Sequence, residues 1–139
     1  MVATKKVQSE IKSLLRQMAD AFAEQDIENY LEIYSKNPDV VIYGSQTGEK
    51  WNKLESYKKS VLKDWKNVDK MSIIYDWVQI NHSVSEDSAW LAADLTFVTT
   101  MGEQQMNIPG RFTAVCIKEP DNWKIIQSHF SMPFSPPSE

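Results

Sequence analysis

The chain has 139 residues, and its 15 Lys and Arg against 19 Asp and Glu give a formal net charge of −4. This length predicts a single domain over residues 1–139. The negative charge argues against a protein that binds nucleic acid by neutralising phosphates. With 42 % hydrophobic and 24 % charged residues, the composition is that of an ordinary globular protein and excludes a disordered chain.

Cysteine content and hydropathy narrow the cellular setting. Cys116 is the single cysteine, which excludes an intramolecular disulfide and a cysteine-rich zinc site. The N-terminal sequence lacks the apolar segment of a secretory signal, and no apolar run reaches the ~18 residues of a membrane span. We therefore expect a cytoplasmic protein without a membrane partner.

The first half of the chain has helical periodicity. A first helix is predicted from one apolar stripe: Ile11, Leu14, Leu15, Met18 and Phe22. Asp26 is an expected N-cap for a second helix, which cannot pass Pro38. Residues 40–43 form a β-branched run that predicts a short strand. Asn52 and Glu55 have capping-box spacing at the start of a third helix.

After residue 70 the period changes to two, which predicts strands. Four stretches alternate in this way, at 71–82, 88–101, 104–118 and 122–132, and their short connections predict an antiparallel meander. Pro109-Gly110 is expected to form a bulge or bend, and 133–139 a loose tail. The predicted fold class is α+β, with three N-terminal helices packed on a strongly curved antiparallel sheet.

Alternation within the strands separates two faces of the sheet. The apolar parity is expected on the concave face beneath the helices and comprises Ala89, Leu91, Ala93, Leu95, Phe97, Phe112, Ala114, Cys116, Ile126, Ser128, Phe130 and Met132. The opposite parity combines aromatic and polar residues, as interfaces do. A homodimer is therefore expected through Trp90, Asp94, Arg111, Thr113, Trp123, Gln127 and His129, with Asp94 and Arg111 paired across the two-fold axis.

Several segments resemble one known superfamily. The ending GRFTAVCIKEPDNWKIIQSHFSMP is similar to the last two strands of SnoaL-like and nuclear transport factor 2-like proteins, including relatives of the kinase association (hub) domain. AFAEQDIENYLEIYSKNPDVVIYG, Trp51 and DSAWLAADLTF fit the same pattern in order. The resemblance implies three helices that close a curved sheet around an apolar, cone-shaped pocket. Its members include enzymes, dimerisation modules and ligand-binding proteins, so the fold alone does not give the function.

The pocket implied by this resemblance has a defined set of expected wall residues. They are Met18, Tyr30, Tyr34, Trp51, Tyr57, Trp65, Phe97, Phe112, Ser128 and Phe130. Packing in the core is the alternative explanation for each of them. Together they offer phenol and indole donors in apolar surroundings, which suits a small organic ligand with one or two polar groups. Ser128 is the expected polar residue at the floor.

The resemblance also implies where an isomerase would carry its catalytic groups. A ketosteroid isomerase needs a carboxylate base and acidic donors. The matching positions hold Gly44, Met18, and Phe112 or Ala114, none of which has the required chemistry. An isomerase of this kind is therefore not expected.

The histidines, the cysteine and the metal question have simple interpretations. His82 and His129 lie on different strands, so no metal site is expected. His129 could be a general base, but its parity favours a role in the dimer interface. Cys116 has the parity of an inert core thiol rather than a nucleophile.

Three functions remain from the sequence. We expect a protein that binds a small, largely apolar or carboxylate-bearing molecule without a metal or cofactor. The alternatives are a cofactor-independent isomerase, cyclase or dehydratase, and an oligomerisation module like the kinase hub domain.

Overall fold

The computed structural model of the protein describes residues 3–134 and begins with helices. Helix α1 spans Lys5–Glu24, α2 spans Ile27–Glu32 and α3 spans Leu54–Trp65. The predicted apolar stripe of α1 is buried at Ile11, Leu14, Leu15 and Met18, with Phe22 packed against the core. A helix with one apolar stripe must bury that stripe against another layer, and here the layer is a sheet.

The two shorter helices start differently. Asp26 caps α2 as predicted, because its Oδ1 accepts a hydrogen bond from the backbone N of Asn29 at 3.2 Å. The capping box predicted from Asn52 and Glu55 is wrong. Lys53 is the N-cap of α3 and makes no side-chain capping bond, so Asn52 lies one residue too early to bond the first turn.

Within residues 3–134, six strands form one sheet behind the helices. Their bounds are β1 Val41–Tyr43, β2 Lys50–Trp51, β3 Lys70–His82, β4 Ser88–Met101, β5 Gln104–Lys118 and β6 Trp123–Ser131. The spatial order is β2-β1-β6-β5-β4-β3, with β1 parallel to β6 and the other neighbours antiparallel. The α+β fold class and the antiparallel meander are therefore confirmed. Strand β2 was not predicted because two residues are too few to show alternation.

Of the bulge or bend predicted at Pro109-Gly110, the bulge is wrong. The register between β4 and β5 continues without a shift through both residues. Strand β6 ends opposite Arg111, so Pro109 lies beyond that pairing and its missing N–H costs no bond on that side. The register shifts lie elsewhere, at Asp76 in β3 and at Ile126 in β6, where one extra residue is inserted.

The bulge at Ile126 corrects one expected interface residue. An inserted residue inverts the alternation of everything before it in the strand. Trp123 and Ile125 therefore face the helices, and Trp123 is only 1 % exposed. Trp123 is not part of the outer face, and Ile126 is half-buried instead of belonging to the buried set. The indole packs in the core, with Lys118 Nζ 5.5 Å from its ring centroid.

The two faces of the meander otherwise follow the predicted alternation. Leu95 and Phe112 are buried, and Phe97 and Phe130 pack against the core. On the opposite side of the sheet, called the outer face below, Arg111 is exposed.

None of the helices within residues 3–134 has the length and hydropathy that spanning a membrane requires. Of the predicted tail, residues 135–139 lie outside the described part of the chain.

Candidate functional site

A cavity of about 390 Å³ lies between the helices and the sheet. All ten residues assigned to a pocket from the sequence lie in its wall: Met18, Tyr30, Tyr34, Trp51, Tyr57, Trp65, Phe97, Phe112, Ser128 and Phe130. They lie on all three helices, on strands β2, β4, β5 and β6 and, for Tyr34, just after α2. The structure therefore gathers residues that are far apart in sequence around one space.

Aromatic rings form much of the cavity wall and pack against one another. Phe97 contacts Phe130 edge-on with ring centroids 4.8 Å apart, and Phe22 lies 5.4 Å from Phe97. On the opposite side of the cavity, the ring centroids of Trp51 and Tyr57 lie 5.1 Å apart. These spacings are those of stabilising aromatic pairs, so the rings of the wall support one another.

Buried hydroxyl groups cluster on the inner wall. The hydroxyls of Tyr30 and Tyr57 lie 2.9 Å apart, and the hydroxyls of Tyr57 and Ser128 act on the pKa of Tyr34 against the effect of burial. Burial raises the pKa of each of the three phenols above the ordinary value of 10.0. They are therefore neutral at physiological pH and can donate a hydrogen bond to a carbonyl or hydroxyl oxygen.

Two carboxylates lie at the entrance, where the wall residues are exposed to solvent. Glu49 is half-exposed, and its Oε1 accepts a hydrogen bond from the backbone N of Gln46 at 2.8 Å. Asp64 is exposed on α3 and also lies in the wall. Partial burial and the charge of Glu49 raise the pKa of Asp64, against the opposing effect of Lys63.

Neither carboxylate was identified from the sequence. Asp64 follows Tyr57 by seven residues and Val61 by three, so it lies on the same stripe of α3 as these wall residues. That spacing could have revealed it. Glu49 lies in the turn between β1 and β2, where no periodicity indicates the direction of a side chain.

The positions matched to isomerase catalytic groups occupy the wall without catalytic side chains. Gly44, Met18 and Phe112 all line the cavity, whereas Ala114 is buried outside its lining. A Cβ added to Gly44 would lie 2.6 Å from Oε1 of Glu49. The side chain of Glu49 therefore fills the space that a larger residue at position 44 would need.

The two imidazoles and the thiol lie outside the cavity wall. His82 is buried with its Nδ1 2.6 Å from the carbonyl oxygen of Ser83, and His129 is exposed on the outer face. Cys116 is fully buried, which raises the pKa of its thiol to about 12. Within residues 3–134, no three His, Cys, Asp or Glu side chains converge to hold a metal ion.

The outer face carries the other predicted set. Trp90, Asp94, Arg111, Thr113, Gln127 and His129 are all exposed there. Asp94 lies directly opposite Arg111 within one chain, since β4 and β5 pair at these residues. Sequence reasoning missed Trp77, which is 50 % exposed and faces the same way because β3 pairs it with Asp94.

Comparison with known proteins gives one family and many similar folds. The family model described as a SnoaL-like domain matches residues 11–135. No curated protein matches the sequence.

Three solved structures illustrate the similarity of fold. An NTF2-like protein of unknown function from Pseudomonas putida KT2440 is 17 % identical, with a TM-score of 0.81 over 95 % of this chain and 90 % of that one. A candidate dehydratase of the NTF2-like family from Streptomyces avermitilis is 15 % identical, with a TM-score of 0.80 over 95 % and 100 %. A candidate calcium/calmodulin-dependent protein kinase II association domain from Xanthomonas campestris is 22 % identical, with a TM-score of 0.78 over 89 % and 86 %.

Proposed function

Because the chain belongs to the SnoaL-like family, we propose that it binds a small, largely apolar organic molecule in the cavity between its helices and sheet. The observation that carries this proposal is an aromatic wall with a buried hydroxyl cluster at Tyr30, Tyr34, Tyr57 and Ser128. Such a wall supplies apolar contact for the body of a ligand, and the hydroxyls supply bonds that orient one polar group.

The size of the cavity supports this proposal. A volume of about 390 Å³ falls within the ~300–1,000 Å³ of small-molecule sites. A packed core instead has few voids larger than a water molecule.

The proposal includes a cytoplasmic location for the protein. The buried thiol of Cys116 agrees with that location, since reduced cysteines are the rule in the cytoplasm.

A calorimetric titration with 2-naphthalenemethanol, an apolar bicyclic alcohol, tests this function. We expect saturable binding that Ser60→Trp weakens by about tenfold or more, because Ser60 lies in the cavity wall on α3. Ser56→Trp is the matched control, since Ser56 is exposed on the same helix outside the wall. The proposal would be contradicted by equal effects of the two substitutions, or if neither this alcohol nor a bicyclic analogue with another polar group binds saturably.

A cofactor-independent enzyme is the second candidate, favoured by the two carboxylates at the entrance. The raised pKa of Asp64 suits a group that accepts a proton at neutral pH. A carboxylate base would remove an α-proton from the ketone 1-tetralone and return a deuteron from D2O. Exchange faster than in buffer, and lost in Asp64→Asn and Glu49→Gln, would favour an enzyme; exchange at the buffer rate favours a binding protein.

The partner proposed alongside the ligand is a second copy of the chain. Trp77 and Trp90 are 50 % and 44 % exposed on the outer face, beside Arg111 and His129. Exposed aromatic residues among polar groups have the composition of an interface. The cavity lies on the opposite side of the sheet, so a dimer through this face leaves two cavities open.

A further inference from the structure

The charged residues of the cavity wall are of one sign. Within the described residues, Glu49 and Asp64 are the charged side chains that line the cavity, and no Lys, Arg or His lines it. Lys63 influences the ionisation of Asp64 from the same helix but lies outside the wall. A bound molecule therefore meets two negative side chains and no positive side chain in the wall itself.

The two carboxylates and the hydroxyl cluster lie at different depths. Tyr34 and Ser128 are each 2 % exposed, so they mark the interior. Asp64 is exposed and Glu49 half-exposed, so they mark the entrance. A ligand that fills the cavity consequently places one end among neutral hydroxyls and the other beside two carboxylates.

Electrostatics at the entrance disfavours anions and favours cations. Glu49 and Asp64 already repel each other, which contributes to the raised pKa of Asp64. A ligand carboxylate would add a third negative charge in a partly desolvated place, whereas an ammonium group would be attracted by both residues. This argues against the carboxylate-bearing class of ligand that the sequence left open.

Two further features favour a cationic ligand. The wall contains the indole rings of Trp51 and Trp65, and aromatic faces attract ammonium groups. The whole chain carries a formal net charge of −4, which raises the local concentration of cations and slows the approach of anions.

We infer that the cavity selects small molecules with an apolar body and a protonated amine, and that Glu49 and Asp64 hold the amine at the entrance. This inference rests on the proposed function, because it requires that the cavity binds a small molecule. It adds the chemical class of that molecule and names the two residues that determine the selection.

Three probes with one bicyclic body test the inference by calorimetry at neutral pH and low salt. They are 2-naphthylmethylamine, 2-naphthalenemethanol and 2-naphthoate, which present a cation, a neutral group and an anion. We expect affinity to fall in that order, with about tenfold or more between amine and carboxylate. High salt should weaken the binding of the amine and leave the binding of the alcohol unchanged.

The double variant Glu49→Gln/Asp64→Asn should reduce the preference for the amine over the carboxylate by about threefold or more. It preserves side-chain size, and the amide oxygen of Gln can still accept the hydrogen bond from Gln46. Glu55→Gln is the control, because Glu55 is an exposed acidic residue of α3 outside the wall. It should keep the selectivity of the unmodified protein.

The outcomes separate this inference from the proposed function. Binding of the alcohol that equals or exceeds binding of the amine would overturn the inference and leave the proposed function standing. Selectivity that survives undiminished in the double variant would do the same, since the two carboxylates would then not be its source. If none of the three probes binds, both the inference and the proposed function fail.

Discussion

Gly110 lies buried in β5 beside the ring of Phe130, one of the aromatic residues of the cavity wall. A Cβ at this position would overlap Cε2 of that ring and lie 2.7 Å from Cζ. It would also lie 3.2 Å from the carbonyl oxygen of Ser131. The Phe130 ring therefore occupies space that a side chain at position 110 would need. That ring also contacts Phe97 in the cavity wall.

Gly110→Ala should reduce both stability and probe binding. We expect a loss of about 1–3 kcal/mol in urea unfolding, because the added methyl displaces a packed ring. Gly102→Ala is the matched control, because nothing lies within 4 Å of a Cβ added at this position. The φ of +62° at Gly102 is nevertheless strained for alanine. The substitution should cost about 1 kcal/mol and leave binding of 2-naphthalenemethanol unchanged. Unaltered stability and binding in Gly110→Ala would show that the ring is not confined.

Asp64 makes the stability of the protein depend on pH in a direction that can be tested. Its pKa is higher in the folded protein than the ordinary 3.8, through partial burial and Glu49 and against Lys63. The folded state therefore binds this proton more tightly, and stability falls as pH rises through the two pKa values. At neutral pH the ionised group is destabilising.

Asp64→Asn should accordingly be slightly more stable than the unmodified protein at pH 7. The gain should stay below about 1 kcal/mol because solvent screens an exposed group. The difference should vanish at pH 3, where Asp64 is largely protonated. Urea unfolding at the two pH values measures it, with Glu55→Gln as the control for loss of one charge. Asp64→Asn less stable than the unmodified protein at pH 7 would contradict the assigned shift.

At the scale of the elements, the sequence predicts what depends on periodicity. The long strands β3 to β6 begin and end within a few residues of their predicted bounds, since each is nine or more residues long and alternates over most of its length. The ten pocket residues also follow from such patterns combined with the family resemblance. Features fixed by a single insertion or turn were missed, because no residue type marks the bulge at Ile126 or directs Glu49 toward the cavity.

The bulge in β6 can be tested by two substitutions whose expected order it reverses. Unbroken alternation would place Ile126 inside and Trp123 outside, whereas the structure buries Trp123 and leaves Ile126 half-buried. Trp123→Ala should therefore cost about 3–5 kcal/mol, and Ile126→Ala clearly less than a buried Ile would. Chemical denaturation of both variants decides the register. A larger loss in Ile126→Ala would contradict the bulge.

At the scale of the whole molecule, the sheet separates two surfaces with different proposed roles. The helix-covered side holds the cavity, and the outer face holds Trp77, Trp90 and the facing residues Asp94 and Arg111. In a two-fold dimer this face would meet its own copy, so each patch must complement itself. A patch of mixed charge with two exposed indoles meets that requirement.

Light scattering tests the dimer. We expect a mass of twice 16.0 kDa for the unmodified chain, and of 16.0 kDa for Trp90→Glu, because a charge would be desolvated in the interface. Leu62→Glu is the control, since Leu62 is 43 % exposed on α3, away from the outer face. It should remain dimeric. A monomeric mass for the unmodified chain at micromolar concentration would refute the dimer.

A crystal structure grown with saturating 2-naphthylmethylamine shows whether the cavity binds a small organic cation. We expect the bicyclic ring to lie between Trp51 and Phe97, with the amine nitrogen within hydrogen-bonding distance of Glu49 or Asp64. An unoccupied cavity at saturating amine, or a ring bound with its nitrogen turned toward Ser128, would contradict this expectation.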